Sequence, residues 1–192
     1  MDKVNVFVMN GCSNHSLTER EKDDFYATNP IATNGLLQNE FFDIQIPVLE
    51  PCAGEGHISK ILIEKGYNVV SYDLYDRGFC KSGVNFLDCT QKFSGNIITN
   101  PPYKEALKFL RHAYDILEEG YKVAFFLRLA FLEGKERRKF FDNNPPKTIL
   151  VSTSRIHGCK GGIIDKNSSA IAYMWIVMEK GYKGKTELNW FN

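Results

Sequence analysis

The sequence is poor in the cysteine patterns that stabilise small secreted domains or bind structural zinc. It has five cysteines, an odd number, and no Cys-x-x-Cys pair. An odd count disfavours a disulfide framework, and the missing pair disfavours a zinc site. We therefore predict a protein of a reducing compartment, in the cytoplasm, with no metal site.

Long apolar runs and an excess of charge of one sign are also missing. No run approaches the roughly 18 apolar residues of a membrane span, and the N-terminus lacks the basic and apolar regions of a signal peptide. We expect no membrane partner. The formal net charge is only +1, so no overall basic field indicates nucleic acid, although local basic clusters remain possible.

The chain is long enough and apolar enough to bury one core. It has 192 residues, of which 43% are hydrophobic, and neither an internal repeat nor a domain linker. Residues 1–24 are polar and are expected to be loosely ordered. Residues 25–192 are expected to form a single domain.

Short apolar runs alternate with segments of helical periodicity along that domain. Such alternation predicts an α/β fold, a doubly wound, mostly parallel seven-stranded sheet covered on both faces. The last two predicted strands are separated by a glycine-rich segment without a helical stripe, so we expect them to pair as an antiparallel hairpin at the sheet edge. The predicted strands are 47–53, 68–73, 83–87, 96–100, 122–131, 145–155 and 169–180. The predicted helices are 32–42, 57–66, 103–120 and 133–144.

The loops after the first two predicted strands contain a pattern typical of cofactor sites. Gly54 and Gly56 allow a tight turn before a helix N-terminus, and Asp73 ends the second strand about 20 residues further on. A carboxylate at that place can accept hydrogen bonds from both hydroxyls of a ribose, which points to an adenosine-containing cofactor. Two plainer readings stay open, in which the glycines only turn the chain and Asp73 only caps the next turn.

The segment "NPPY" at 100–103 follows the fourth predicted strand. Proline fixes its own backbone angle and restricts the residue before it, so this turn is rigid. It can present the Asn100 side-chain oxygen and the Pro101 carbonyl as two acceptors, with Tyr103 as a stacking face. Such a pocket suits a planar amide or an amino-substituted base. Alternatively, the prolines only end a strand and begin a helix.

Taken together, "EPCAGEG", Asp73 and "NPPY" resemble the Rossmann-like, class I S-adenosylmethionine-dependent methyltransferases that act on amino groups. More narrowly, they resemble the enzymes that methylate the N6 amine of adenine. "DDFYATNPIAT" (23–33) is similar to a motif that precedes the first strand in part of that family. The chain from about residue 19 onward also resembles small phage and prophage methyltransferase-like proteins.

The resemblance implies S-adenosyl-L-methionine as cofactor and assigns roles by position. Many family members have aspartate at position 85, so Asp88 is an alternative to Asn85. The methionine end of the cofactor falls to Tyr26 and Thr28. The loop beneath it comprises Glu50, Pro51, Ala53, Gly54 and Gly56. Asp73 would bind the ribose, Asn85 and Phe86 the cofactor adenine, and Asn100, Pro101, Pro102 and Tyr103 the target.

The implied reaction is direct transfer of a methyl group to the target nitrogen, without metal or catalytic cysteine. Hydrogen bonds from the target amine to Asn100 and Pro101 would strengthen in the transition state. The expected substrate is nucleic acid, with DNA favoured over RNA. Nothing in the sequence resembles a target-recognition domain, so recognition would come from loops, loose specificity or a partner chain.

Two other functions remain open at this stage. The release-factor glutamine methyltransferases use the same asparagine-proline-proline-tyrosine turn, although about 46 residues before the first strand leave little room for their helical recognition domain. A cofactor-binding module without turnover is the third reading. A basic run on a predicted helix, Lys135 to Lys139, is either a solvated face or a phosphate-contact surface, as are Lys104, Lys108 and Arg111.

Overall fold

A computed structural model describes residues 27–154, 156, 159–160, 163–164 and 171–191, with the backbone alone for 159–160 and 163–164. The predictions for residues 1–24 and for Tyr26 lie outside the described residues. So does most of the glycine-rich segment before the last predicted strand.

Helices and strands alternate along the first two thirds of the described chain, as the periodicity predicts. The helices are α1 (Pro30–Asn39), α2 (His57–Glu64), α3 (Ala106–Ile116) and α4 (Lys135–Asn143). The strands are β1 (Val48–Glu50), β2 (Val69–Ser71), β3 (Asn96–Thr99), β4 (Lys122–Arg128), β5 (Thr148–Ser152), β6 (Cys159–Lys160), β7 (Ile163–Ile164), β8 (Tyr173–Glu179) and β9 (Glu187–Phe191). Short 3-10 turns lie at Phe86–Asp88, Tyr103–Glu105 and Leu129–Leu132.

Seven of these strands form one sheet, in the order β2-β1-β3-β4-β8-β5-β9. The first four are parallel, with Leu49 of β1 in register with Val70 of β2 and Ile97 of β3. Strand β8 runs antiparallel to both β4 and β5, and β9 is again parallel to β5. The predicted fold class, a mostly parallel seven-stranded sheet with an antiparallel C-terminal pair, is confirmed.

Two strand assignments differ from the prediction. Residues 83–87 form no strand, because the Asn85 side chain accepts from the backbone N–H of Leu87 and turns the chain into a 3-10 helix. The seventh strand is instead β9, which was not predicted. It occupies the sheet edge beside β5, so the antiparallel pair of β5 and β8 lies inside the sheet and not at its edge.

The sheet separates two apolar layers. On one face α3 packs Leu110 against strand residues such as Phe125 and Ile176. On the other, Leu36 of α1 and Leu62 of α2 pack against Trp175, which is fully buried. The Trp175 indole donates to the carbonyl of Ala32 at 2.8 Å, which fixes α1 on the sheet. None of the helices in the described part of the chain is long and apolar enough to cross a membrane.

A buried ion pair holds the C-terminal end of α1. Glu40 Oε1 lies 2.6 Å from Lys122 Nζ at the start of β4, and the two side chains are 8% and 14% exposed. The Thr148 hydroxyl of β5 donates to the other oxygen of Glu40 at 2.9 Å. These bonds therefore tie helix α1 to the amino ends of β4 and β5. The loops that carry the predicted site lie at the opposite, carboxyl ends of the strands.

Candidate functional site

A cavity of about 690 Å³ opens at the carboxyl ends of β1, β2 and β3, where ligands bind in sheets of this kind. Its volume lies within the range of roughly 300–1,000 Å³ typical of small-molecule sites. The lining joins the loops around Asp73 to the turn at Asn100. The predicted residues that line it are Thr28, Glu50, Pro51, Ala53, Asp73, Asn85, Phe86, Asn100 and Pro102.

Asp73 lines this cavity and also holds two of its loops by hydrogen bonds. Its Oδ2 accepts from the backbone N–H of Gly54 at 2.8 Å, and its Oδ1 accepts from the N–H of Tyr75 at 2.9 Å. A carboxylate has about four acceptor positions, so each oxygen can still accept a ligand hydroxyl. Asp73 thus fixes both neighbouring loops while it can also bind a ribose.

The glycine loop needs its glycines for backbone geometry. Gly54 has φ 55° and Gly56 has φ 80°, in the left-handed region. A Cβ at Gly56 would also lie 2.5 Å from the ring of Phe79. Gly56 is the N-cap of α2, so a side chain at this position would be strained by the backbone angle and would displace Phe79.

Glu50 is a buried carboxyl group directed into the structure. The backbone N–H and the hydroxyl of Ser59 both donate to its Oε2, and the Ser59 hydroxyl lies 2.6 Å from that of Ser71. Burial raises the pKa of Glu50 to about 8, the bonds from Ser59 oppose this rise, and nearby Asp73 adds to it. Glu50 therefore ties β1 to α2 at the floor of the cavity.

Asn85 and Phe86 lie at the predicted adenine end of the cavity. The Asn85 oxygen accepts from Leu87 at 3.2 Å, and its nitrogen donates to Asp88 at 2.9 Å. Asn85 lines the cavity, whereas Asp88 is exposed and lies outside the lining. Phe86 is 2% exposed, with its ring edge-on to His112 at 4.8 Å between centroids.

Two of the four residues of the "NPPY" turn line the cavity, and the other two lie behind the lining. Asn100 and Pro102 line the cavity, and Asn100 Nδ2 donates to the hydroxyl of Thr28 at 3.1 Å. Pro101 is buried and Tyr103 is half-buried, and neither belongs to the lining. The guanidinium of Arg128, at the end of β4, lies 5.1 Å from the centre of the Tyr103 ring.

Sequence reasoning missed part of the lining. The segment directly after Asp73 contributes Leu74, Tyr75 and Arg77, and the first residue of α2, His57, contributes another side of the cavity. Leu74 and Tyr75 are large apolar side chains that are 47% and 45% exposed. Their sequence signal is weak, since two apolar residues directly after a strand are equally typical of the strand itself.

The basic run on α4 pairs within its own part of the fold. Lys139 binds Glu136 at 2.8 Å, Arg138 pairs with Asp142, and Arg137 donates to carbonyl groups of the preceding turn. These contacts favour the reading of a solvated face. Lys104 and Lys108 line the cavity, and Lys108 also pairs with Glu105 at 3.8 Å. Arg111 pairs with Glu136 at 3.9 Å and lies outside the lining.

Cysteine and metal chemistry find no support in the geometry of the described residues. Burial, with a smaller contribution from Asp73, raises the pKa of Cys52 well above its usual range, so its thiol stays protonated. Among the residues that the structure describes, no three His, Cys, Asp or Glu side chains group as metal ligands.

Comparison with known proteins identifies the fold. No family model matches the chain, and no curated protein matches it. A predicted O-methyltransferase of Agrobacterium tumefaciens superimposes with a TM-score of 0.59 at 12% identity, over 84% of this chain and 85% of that one. A candidate class I S-adenosylmethionine-dependent methyltransferase of Listeria monocytogenes superimposes with a TM-score of 0.61 at 10% identity, over 91% of this chain and 68% of that one.

A third structure is the M protein of the type I restriction enzyme EcoKI. It superimposes with a TM-score of 0.59 at 14% identity over 85% of this chain, and this chain spans 45% of its length. These identities are low, and the likeness therefore establishes the class I methyltransferase fold alone.

Proposed function

We propose that the protein is an S-adenosylmethionine-dependent N-methyltransferase whose target is a planar amino group, most simply the N6 amine of adenine in nucleic acid. One observation supports this above all others. A single cavity joins the Asp73 carboxylate, suited to a ribose, to the Asn100 amide, suited to an amine.

The volume and the polar lining of the cavity would suit S-adenosyl-L-methionine. Asp73 would accept the ribose hydroxyls, and Asn85 with Phe86 would border the adenine. Tyr26, Thr28 and the loop of Glu50, Pro51, Ala53, Gly54 and Gly56 would surround the methionine end. The cofactor, when bound, supplies an electrophilic methyl group.

The target side would use the rigid "NPPY" turn. The Asn100 oxygen and the Pro101 carbonyl would accept hydrogen bonds from the target amine, and these bonds strengthen as the nitrogen becomes more pyramidal. Pro102 fixes the turn. Tyr103 would stack on the base, and a base in a duplex would first be flipped out.

The charge near the target side is weakly positive, which is compatible with nucleic acid. Lys104 and Lys108 line the cavity on this side together with Glu105, which lies 3.8 Å from Lys108. Lys104 and Lys108 can approach phosphate oxygens. Methyltransferase subunits of restriction-modification systems are among the structures with this fold, so DNA, with a partner chain for recognition, is the first arrangement to test.

The test measures cofactor binding and methyl transfer separately. Tritiated S-adenosylmethionine is offered with duplex DNA, single-stranded DNA, RNA and protein extract. We expect Asn100→Ala to abolish transfer while cofactor affinity is nearly retained. Asp73→Asn should lower the affinity by about tenfold or more, since a buried acceptor becomes a donor facing N–H groups. Asp76→Asn is the matched control, because Asp76 caps the N–H of Gly78 at 2.9 Å outside the cavity.

Each outcome has a distinct meaning. Label in methyladenine that disappears in Asn100→Ala supports the proposal. Label in glutamine of the protein extract would show that the substrate is a protein amide and not adenine, and it would still support a pocket for a planar amino group. Cofactor binding without transfer to any substrate would favour either a missing partner chain or a non-catalytic module.

A further inference from the structure

We propose that Arg128 binds a phosphate group of a nucleic-acid target, beside the turn that holds the target base. The proposal rests on the function proposed above and names the group of the substrate that this part of the molecule recognises. Arg128 ends β4, and its guanidinium lies 5.1 Å from the centre of the Tyr103 ring.

The Arg128 guanidinium has no anionic partner in the part of the chain that the structure describes. The residue is half-buried, and its Nε is buried without a hydrogen-bond partner among the described residues. Every ion pair between described residues involves other side chains. Burying part of a charged group without a partner costs free energy, and buried polar atoms without a partner are rare in folded proteins. An anionic ligand would remove that cost.

Two other arginines show what is missing at Arg128. Arg111 and Arg137 also lie near aromatic rings, with the guanidinium carbon 5.8 Å and 4.8 Å from the ring centre. Each of them also contacts oxygen atoms, since Arg111 pairs with Glu136 at 3.9 Å and Arg137 donates to carbonyl groups of the preceding turn. Arg128 has the ring without the oxygen atoms, so the acceptor is the part that a ligand would supply.

The backbone of Arg128 is held in place by the centre of the sheet. Arg128 lies opposite Tyr173 of β8 in the antiparallel register, and the N–H of Leu129 donates to the carbonyl of Ala172 at 2.8 Å. The Tyr173 ring also lies 6.3 Å from the Tyr103 ring between centroids. The guanidinium therefore extends toward the target turn from a fixed strand end, which lowers the entropy lost on binding.

The chemistry and the position of this guanidinium favour phosphate. Its donors form a planar fork that matches two oxygens of a phosphate, and it keeps its charge while it lies against a ring. Arg128 does not belong to the lining that the cofactor loops share, so the anion would come from the target. A base stacked on Tyr103 carries a phosphate on its own sugar, whereas a glutamine side chain carries no anion.

The first test measures binding of a fluorescein-labelled single-stranded oligodeoxynucleotide by anisotropy. Arg128→Met keeps an aliphatic stem and removes the donors, so the dissociation constant should rise about 10- to 100-fold. The slope of log affinity against log salt concentration should become shallower by about 0.7, the value for one phosphate contact to a single strand. Arg128→Lys keeps the charge and should retain the slope with part of the affinity.

Arg111→Met is the matched control. Arg111 also lies near a ring, that of Phe140, but its charge is already paired with Glu136. The same change there should leave the oligonucleotide affinity and the salt slope as they are. In all three variants the dissociation constant for S-adenosylmethionine, from calorimetry, should change by less than about threefold. Weaker oligonucleotide binding in Arg128→Met with an unchanged salt slope would make Arg128 a structural support and overturn the proposal.

A second measurement uses the natural chain and is independent of activity. The Nε–H resonance of Arg128, assigned in the ¹H–¹⁵N spectrum by its loss in Arg128→Met, is followed during addition of adenosine 5′-monophosphate, adenosine or S-adenosylhomocysteine. We expect a shift with the monophosphate and none with adenosine, which lacks only the phosphate. An equal shift with S-adenosylhomocysteine would assign Arg128 to the carboxylate of the cofactor, and no shift with the monophosphate would remove the anion site. Either result would refute the proposal.

The two proposals can fail separately. A protein that transfers no methyl group to nucleic acid would refute the proposed function, while the spectrum would still decide whether Arg128 binds phosphate. Conversely, methyladenine formed at an unchanged rate and with unchanged oligonucleotide affinity in Arg128→Met would keep the proposed function and refute the role of Arg128.

Discussion

Glu50 ends β1 and Asp73 follows the end of β2 by two residues, yet their environments differ. Asp73 accepts bonds from two backbone N–H groups and faces the cavity, whereas Glu50 is enclosed and bonded to Ser59. The environment of Glu50 favours its protonated form, because burial disfavours charge. This difference has a measurable effect on stability.

We expect Glu50→Gln to flatten the dependence of stability on pH. The pKa of Glu50 rises from an ordinary value of 4.5 to about 8 on folding. Between these values the folded state binds more protons than the unfolded state, so stability decreases as pH rises through the folded pKa. Glutamine keeps an acceptor for Ser59 and cannot ionise. Urea unfolding at pH 6 and pH 9 should show a loss on the order of 2 kcal/mol in the natural chain and a smaller one in the variant. An equal loss in both would contradict the raised pKa.

The sequence predicted some residues of this site and not others, for a physical reason. Asp73, Gly54 and Asn100 belong to short segments whose residue types suit a ligand. The bond between Thr28 and Asn100 joins two distant segments and depends on how α1 packs. Likewise, the exposure of Tyr75 beside the cavity follows from tertiary structure and has no local pattern.

Most helices and strands could be predicted because their apolar residues repeat with the right period. The prediction of a strand at 83–87 was wrong because the segment is apolar and short. Only the turn formed by the Asn85 side chain distinguishes it from a strand. Strand β9 has only a short signal, the alternation of Leu188 and Trp190 with polar residues, and both of these side chains are exposed in the fold. It forms because β5 offers a partner edge and Phe191 packs against Gly35, where a Cβ would lie 2.2 Å from the ring.

The start of α2 gives a test of the glycine loop. Gly56 and Gly78 have similar angles, φ 80° and φ 76°, but only Gly56 meets a neighbour, Phe79, where a Cβ would go. Gly78→Ala should cost about 1–2 kcal/mol for the left-handed backbone alone. Gly56→Ala should cost about 1–3 kcal/mol more through overpacking, and should weaken cofactor binding. Equal melting temperatures and affinities would show that the contact with Phe79 is unimportant.

Across the whole molecule, α1 runs from the carboxyl ends of the strands, where the cavity lies, to their amino ends. Its N-terminal side leads from Thr28 at the cavity, and Glu40 beyond its C-terminal end binds Lys122. The ion pair is largely buried, so removing Lys122 leaves the Glu40 charge with the single bond from Thr148.

Lys122→Met should therefore destabilise the protein by about 3–5 kcal/mol. Lys147→Met is the control, because the pair of Lys147 and Glu179 has the same 2.6 Å distance but side chains that are 33% and 26% exposed. We expect it to cost about 1 kcal/mol or less. Guanidinium unfolding measures both. A second change in the Lys122 variant, Glu40→Met, should recover part of the loss, and no recovery would refute the electrostatic explanation.

The two tryptophans lie in opposite surroundings, which gives the protein an internal pair of optical reporters. Trp175 is fully buried on the central strand β8, and Trp190 is 60% exposed on the edge strand β9. Acrylamide should quench Trp190 in the native state, while Trp175 should respond only when the sheet opens. With Trp190→Phe, the remaining emission reports global unfolding alone. The difference between the natural chain and this variant then follows detachment of the edge strand, so local and global opening of one sheet can be timed separately.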